Sequence, residues 1–123
     1  MGQFVISETA TGYKFDLRAA NGEIIAISEV YKTRAACQKG IDAVIACAPT
    51  APVAEPASMT KLPSNPRFEL FSDKSGSFRF RLRAKNGKII AVSQGYSTAS
   101  ACQNGIESVR ENAKDEADNI ENG

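Results

Sequence analysis

Four basic side chains, Arg79, Arg81, Arg83 and Lys85, stand at alternate positions of the segment FRFRLRAK. Alternate residues of a strand share a face, so the four cations would emerge side by side, roughly 7 Å apart. Lys88, just past the next turn, adds to the local charge. Like charges at that spacing repel unless anions meet them, which makes the stripe a candidate surface for phosphate or an acidic partner. An earlier segment carries Lys14, Asp16, Arg18 and Ala20 at the matching places, a mixed surface, so a solvated or self-compensated face is the competing reading. Aromatics able to interleave with such a stripe for base stacking are limited to Phe71, Tyr31 and Tyr96. The candidate contact residues are Arg79, Arg81, Arg83, Lys85 and Arg18, for an unidentified protein or other anionic partner. A nucleic acid is the alternative occupant of the same stripe.

Other chemistry is sparse. The 123 residues include no His, which removes His-based acid–base work, Ser-His and Cys-His nucleophiles and most catalytic zinc sites. No Gly-rich phosphate loop or nucleophile elbow is present. Glu8 with Asp73, or Asp42 with Glu107, would form paired carboxylates only if the fold brought them together. Cys37 and Cys102 sit beside Ala and Ile and read as small buried hydrophobes; a redox role and a bridge between the two are the alternatives. Cys47 falls at a helix end and is expected to be more exposed. No cofactor, metal or enzymatic role is expected. An odd number of cysteines, an N-terminus without a secretory pattern, and Ile6 where myristoylation requires Ser or Thr suggest a reducing cytoplasm. No apolar run approaches the ~18–20 residues of a membrane span.

The elements that would position the stripe come in duplicate. NGEIIAISEVY at 21–31 returns as NGKIIAVSQGY at 86–96. From Tyr13/Phe78 to Ile45/Arg110 the two copies align at an offset of 65 with 18 of 33 pairs identical. Before that block the offset is 64, Phe4 matching Phe68, with Ser77 as an inserted turn residue. All five prolines lie between the copies, from Pro49 to Pro66, in an extended connector. The organisation is a first repeat over 1–47, a connector over 48–66, a second repeat over 67–113 and an acidic tail over 114–123, expected to fray. The first repeat has five basic and five acidic side chains, the second eight and four, and the last ten residues are net −3.

Within each repeat the pattern is three strands and a helix. YKFDLRA and FRFRLRAK alternate apolar and charged, sending Phe15, Leu17, Phe80 and Leu82 to one face. Asn-Gly then signals a hairpin, and two registers compete. A two-residue loop would put Ile25 and Ile27 on the charged face. A three-residue loop over Ala20-Asn21-Gly22, with Gly22 left-handed, puts Ile25 opposite Leu17 and Ile27 opposite Phe15. Burying one Ile contributes ~1.5–3 kcal/mol, so the second is chosen, with Ile90 and Val92 placed likewise. Thr33 and Thr98 suit N-caps. Cys37, Gly40, Ile41, Val44 and their counterparts Cys102, Gly105, Ile106, Val109 form one buried helical stripe each. A glycine at the same place in both stripes, at a cost of about 1 kcal/mol, implies close approach of helix and neighbouring backbone. Tyr31 and Tyr96 read as packing residues with their hydroxyls in solvent. A single repeat is near the lower limit for independent folding, so the two share a core. The expected fold is α+β: two tandem repeats forming one antiparallel sheet with two helices on one face, a pseudo-two-fold monomer of one structural domain.

GYKFDLRAANGEIIAISEVYKTRAACQKGIDAV and GSFRFRLRAKNGKIIAVSQGYSTASACQNGIESV resemble the YegP-like family, small bacterial domains of unknown function. The resemblance covers both copies, roughly three quarters of the chain. It implies β3-α-β units in a single sheet, the strand after each helix being exchanged to the other half, so that part of TAPVAEP becomes a short strand. It supplies no catalytic residues.

Overall fold

The computed structural model describes residues 2–113 and the backbone of residues 118–122. Each repeat begins with a strand pair, β1 (Gln3–Thr9) with β2 (Gly12–Arg18), and β5 (Arg67–Ser72) with β6 (Phe78–Arg83). Each adds a short third strand, β3 (Ile24–Ile27) or β7 (Ile89–Val92), and a helix, α1 (Arg34–Cys47) or α2 (Ala99–Asn112). The strands after the helices, β4 (Val53–Ala54) and β8 (Asp118–Asn122), complete one eight-stranded sheet in the order β4-β5-β6-β7-β3-β2-β1-β8. Thus β4 leaves the first repeat to pair with β5 of the second, and β8 pairs with β1 of the first. The exchange holds. The sheet is not wholly antiparallel, however: both exchanged edge strands pair in parallel, and the connector over 55–66 between β4 and β5 is long enough for a parallel return. Nor is the tail simply a frayed extension, since Asp118–Asn122 form that edge strand.

The helices bind the halves together. Helix α1 packs on its own β2 and on β7 of the other repeat, and α2 on β6, β5 and β3. One apolar core results, centred on Phe4, Phe15, Leu17, Ile41 and Val44 with Phe68, Phe80, Leu82, Ile106 and Val109. Thr33 and Thr98 cap the helices, each Oγ1 accepting the amide of the third following residue at 3.0 Å. Among the described residues no helix is long and apolar enough to cross a membrane.

The hairpin loop is the three-residue one. The Gly22 amide donates to the Ala19 carbonyl at 2.8 Å and Gly22 takes φ 85°, with Gly87 at φ 86° doing the same. The strand register beyond it differs from the expectation. Arg18 pairs with Ile24 but Leu17 with Ala26, leaving Ile25 as an extra residue, and a bulge follows Leu82 likewise. A bulge turns two successive side chains to the same side, so Ile25 and Ala26 are both buried, as are Ile90 and Ala91. Past it the phase is reversed. Ile27 and Val92 therefore face away from the helices, 36% and 39% exposed. The expectation that they join the core is wrong, because it assumed strict alternation through four apolar residues in a row.

The repeated glycines meet a side chain rather than backbone. A β-carbon on Gly40 would collide with the Tyr31 phenol, and one on Gly105 with that of Tyr96. Each tyrosine is also stacked on a core phenylalanine, Tyr31 on Phe15 and Tyr96 on Phe80, with centroids 6.4 Å apart. Cys37, Cys47 and Cys102 are free thiols, the first and last buried. Burial raises all three thiols, Cys102 to about 11, which leaves them far from the reactive thiolate form at neutral pH.

Candidate functional site

The face of the sheet opposite the helices is built by cross-strand pairing. Following the pairs from the β4 edge gives the row Ala54, Glu69, Arg81, Val92, Ile27, Asp16, Val5. Directly opposed residues share a face, so these side chains form a line on the helix-free face, in which Ala54, Glu69, Asp16 and Val5 are buried and Arg81, Val92 and Ile27 reach solvent. A flanking row carries Arg67 beside Arg83, and on the other flank Arg79 stands opposite Phe71.

Arg79, Arg81 and Arg83 emerge on this face as expected, but they are not free. The Glu69 carboxylate, 2% exposed, accepts from Arg81 Nε at 2.6 Å and Arg83 Nε at 2.9 Å on one oxygen. Arg67 Nε donates to its other oxygen at 2.8 Å. Burial alone would raise this carboxyl, yet the hydrogen bonds from Arg81, Arg67 and Arg83 overcome that and hold it at about 2. Charge-assisted contacts of this geometry are among the strongest hydrogen bonds in proteins, and an ionised carboxylate without them could not remain buried. Three guanidinium groups on one carboxylate leave the cluster with a surplus of two positive charges. The arginine side chains keep between 18% and 29% of their surface exposed, and Arg81 lies over the Phe71 ring, 4.6 Å from its centroid.

Arg79 is held separately. Its Nε donates to Asp73 Oδ2 at 2.6 Å. The other Asp73 oxygen takes the Ser75 amide and hydroxyl and the Ser77 amide. The Arg79 and Ser75 hydrogen bonds draw the Asp73 carboxyl well below the usual carboxylate range. The residue inserted in the second repeat thus lies in the loop that presents Asp73 to Arg79.

Lys85 does not join the cluster. It is exposed in the β6–β7 turn and has no ion pair among the described residues. Arg18 lies in the other half and pairs with Asp16 at 2.8 Å, an interaction that raises its own pKa. Asp118 and Glu121 belong to β8, five strands from β6, so that stretch of acidic tail does not cover the stripe; Asp115 and Glu116 lie outside the described residues.

The candidate carboxylate pairs are not brought together for acid–base work. Asp42 and Glu107 sit on exposed helix surfaces and accept from Gln38 at 3.0 Å and Gln103 at 3.2 Å, one turn earlier, while Asp73 serves Arg79. No group of three His, Cys, Asp or Glu side chains able to hold a metal occurs among the described residues.

Two features escaped the sequence. Glu69 and Arg67 were not recognised as part of the stripe, although in RFELFS they alternate with Phe68 and Leu70 and so belong to the charged face. The exposed apolar centre was also missed. Ile24, Ile27 and Val92, each more than a third exposed, lie where the two repeats meet on this face.

Comparison with known proteins agrees with the duplication. The family model described as a domain of unknown function (DUF1508) matches twice, over residues 9–55 and 73–118. A UPF0339 protein of Bordetella pertussis is 38% identical over 112 residues, covering 91% of this chain and 88% of that protein. A UPF0339 protein of Stutzerimonas stutzeri is 56% identical over 50 residues, a match spanning only 45% of its length. One from Methanosarcina acetivorans is 60% identical over 47 residues, 81% of that protein, and is therefore about one repeat long. The solution structure of the Escherichia coli protein of unknown function yegP has 32% sequence identity and a TM-score of 0.80, over 98% of this chain and 92% of that one.

Proposed function

The chain belongs to the YegP-like family, the domain of unknown function DUF1508 (UPF0339), and we propose that it is a non-catalytic binding module that takes an acidic, partly apolar protein segment on its open sheet face. One observation carries this reading: a cluster with two surplus positive charges adjoins an exposed apolar seam at the centre of that face. Arg81 and Val92 are direct cross-strand neighbours, so one segment with alternating acidic and apolar side chains would meet both. Half-buried arginines held on Glu69 are already ordered, which lowers the entropy cost of contact. The module is proposed to act as a monomer, since the two repeats already share one core, and in a reducing cytoplasm, which its three free cysteines favour.

The test is a titration of the isotopically labelled chain with a synthetic peptide alternating Glu and Leu, followed by amide chemical shifts. Saturable shifts at Arg81, Val92 and Ile27, lost in Val92→Asp, are expected. A single-stranded oligonucleotide provides the second arm. Tighter binding of the oligonucleotide with steep salt dependence would replace this reading by the polyanion one, and no saturable shift with either would end both.

A further inference from the structure

On the helix side of the sheet, away from the proposed contact face, α1 and the β6–β7 hairpin enclose an open cleft of about 310 Å³. That is the lower end of the size range for small-molecule sites, enough for one ring and a short substituent. Gly40, Ala43 and Ile90 give it an apolar lining, joined by the Tyr31 ring, which is backed by Phe15. Its rim is cationic. Lys88 Nζ sits 5.5 Å from the Tyr31 ring centroid and is paired to Glu29 at 3.1 Å. Lys39, which also lines the cleft from α1, has no ion pair among the described residues. Two ammonium groups against one carboxylate leave one positive charge at the mouth of an apolar hollow.

The second repeat supplies an internal control. The matching positions around α2 keep Tyr96, Gly105 and Ile25, but carry Asn104 for Lys39, Glu23 for Lys88, Gln94 for Glu29 and Ser108 for Ala43. Residues the fold requires recur in both copies; the two lysines do not, so the fold does not require them.

We propose that this cleft binds a small organic carboxylate with an aromatic or similarly flat apolar body, the ring against Tyr31 and the carboxylate between Lys39 and Lys88. Aromatic stacking and a charge-assisted hydrogen bond would divide the recognition between them.

The experiment is an amide chemical-shift titration of the full chain with sodium benzoate at constant ionic strength, with benzylamine as the cationic control. Saturable millimolar binding is expected at Lys39, Gly40 and Lys88, with Asn104, Gly105 and Glu23 unmoved. The double variant Lys39→Asn, Lys88→Gln removes both ammonium groups without setting a second carboxylate beside Glu29, and its dispersed spectrum would show that it remains folded. Benzoate should bind it roughly tenfold more weakly, while Glu23→Lys, Asn104→Lys, Ser108→Ala should open a second site around Gly105. Non-saturable shifts, equal shifts with benzylamine, or unchanged affinity in the Lys39/Lys88 variant would overturn the proposal.

Discussion

At position 5 the first repeat buries a valine; at the matching position 69 the second buries a glutamate. Their cross-strand neighbours differ in step, Asp16 against Arg81. In the core beneath the helices nothing comparable happens: Phe4 and Phe68, Phe15 and Phe80, Leu17 and Leu82, Tyr31 and Tyr96, Gly40 and Gly105 are repeated residue for residue. The packed side tolerates little change because a close-packed core registers a single methylene. The open side constrains charge and hydrogen bonding only locally, so one half became a plain pairing of Asp16 with Arg18 and the other a three-arginine cage around a carboxylate. A buried ion cluster is not an efficient way to gain stability. Its presence in one half only is what directs attention there for function.

The largest effect should come from Glu69→Gln. It strips the countercharge from three half-buried guanidinium groups, and breaking such a pairing should destabilise the chain by about 2–4 kcal/mol. Val5→Ala, at the matching place, should cost about 1–2 kcal/mol from lost apolar burial alone. Chemical denaturation of both variants checks the contrast; equal losses would mean that the cage is energetically no different from a buried valine.

Acid sharpens the same difference. The Glu69 carboxyl is depressed from 4.5 to about 2 in the fold, so its stabilisation is complete above about pH 4.5. It is lost as the pH falls from there through about 2. The loss amounts to about 3 kcal/mol. Asp73, also depressed, contributes in the same direction. Stability measured from pH 7 to 2 should fall more steeply in the wild type than in Glu69→Gln; parallel curves would remove Glu69 as the cause.

The core under the helices should behave symmetrically. Gly40→Ala and Gly105→Ala each gain about 1 kcal/mol of helix propensity but force a methyl into a tyrosine ring. With overpacking at about 1–3 kcal/mol, a net loss of about 0–2 kcal/mol in both, the same in each, is expected. Thermal melts giving a loss in one and a gain in the other would show that the two halves are packed differently after all. Smallest of all, Ile27→Thr and Val92→Thr should change stability by no more than about 0.5 kcal/mol while weakening the Glu-Leu peptide. A large stability loss would mean the seam is structural.

How much of this could be read beforehand varied with the kind of interaction. The capping threonines, the helical stripes and the Ala20-Asn21-Gly22 loop were legible because each depends on residues within one turn of chain. The outward direction of Arg79, Arg81 and Arg83 was legible for the same reason, since strand alternation is local. Ile27 and Val92 were misplaced because IIAI and IIAV offer four apolar residues in a row, and only the pairing with Leu17 and Leu82 decides which is extra. The partner of the repeated glycines was likewise out of reach: Tyr31 meets Gly40 across a turn of chain and a helix start.

By itself, the sequence determined that this protein is two copies of one strand-and-helix unit, which faces of those units are apolar, and where a block of positive charge lies. Periodicity and duplication carry that information. The tertiary structure decided that the charge block closes on Glu69, that Ile27 and Val92 surface at its side, and that the two lysine-bearing segments meet around an apolar hollow. Each of these depends on strand register and on helices crossing between repeats, and a single bulge residue shifts them from one face to the other.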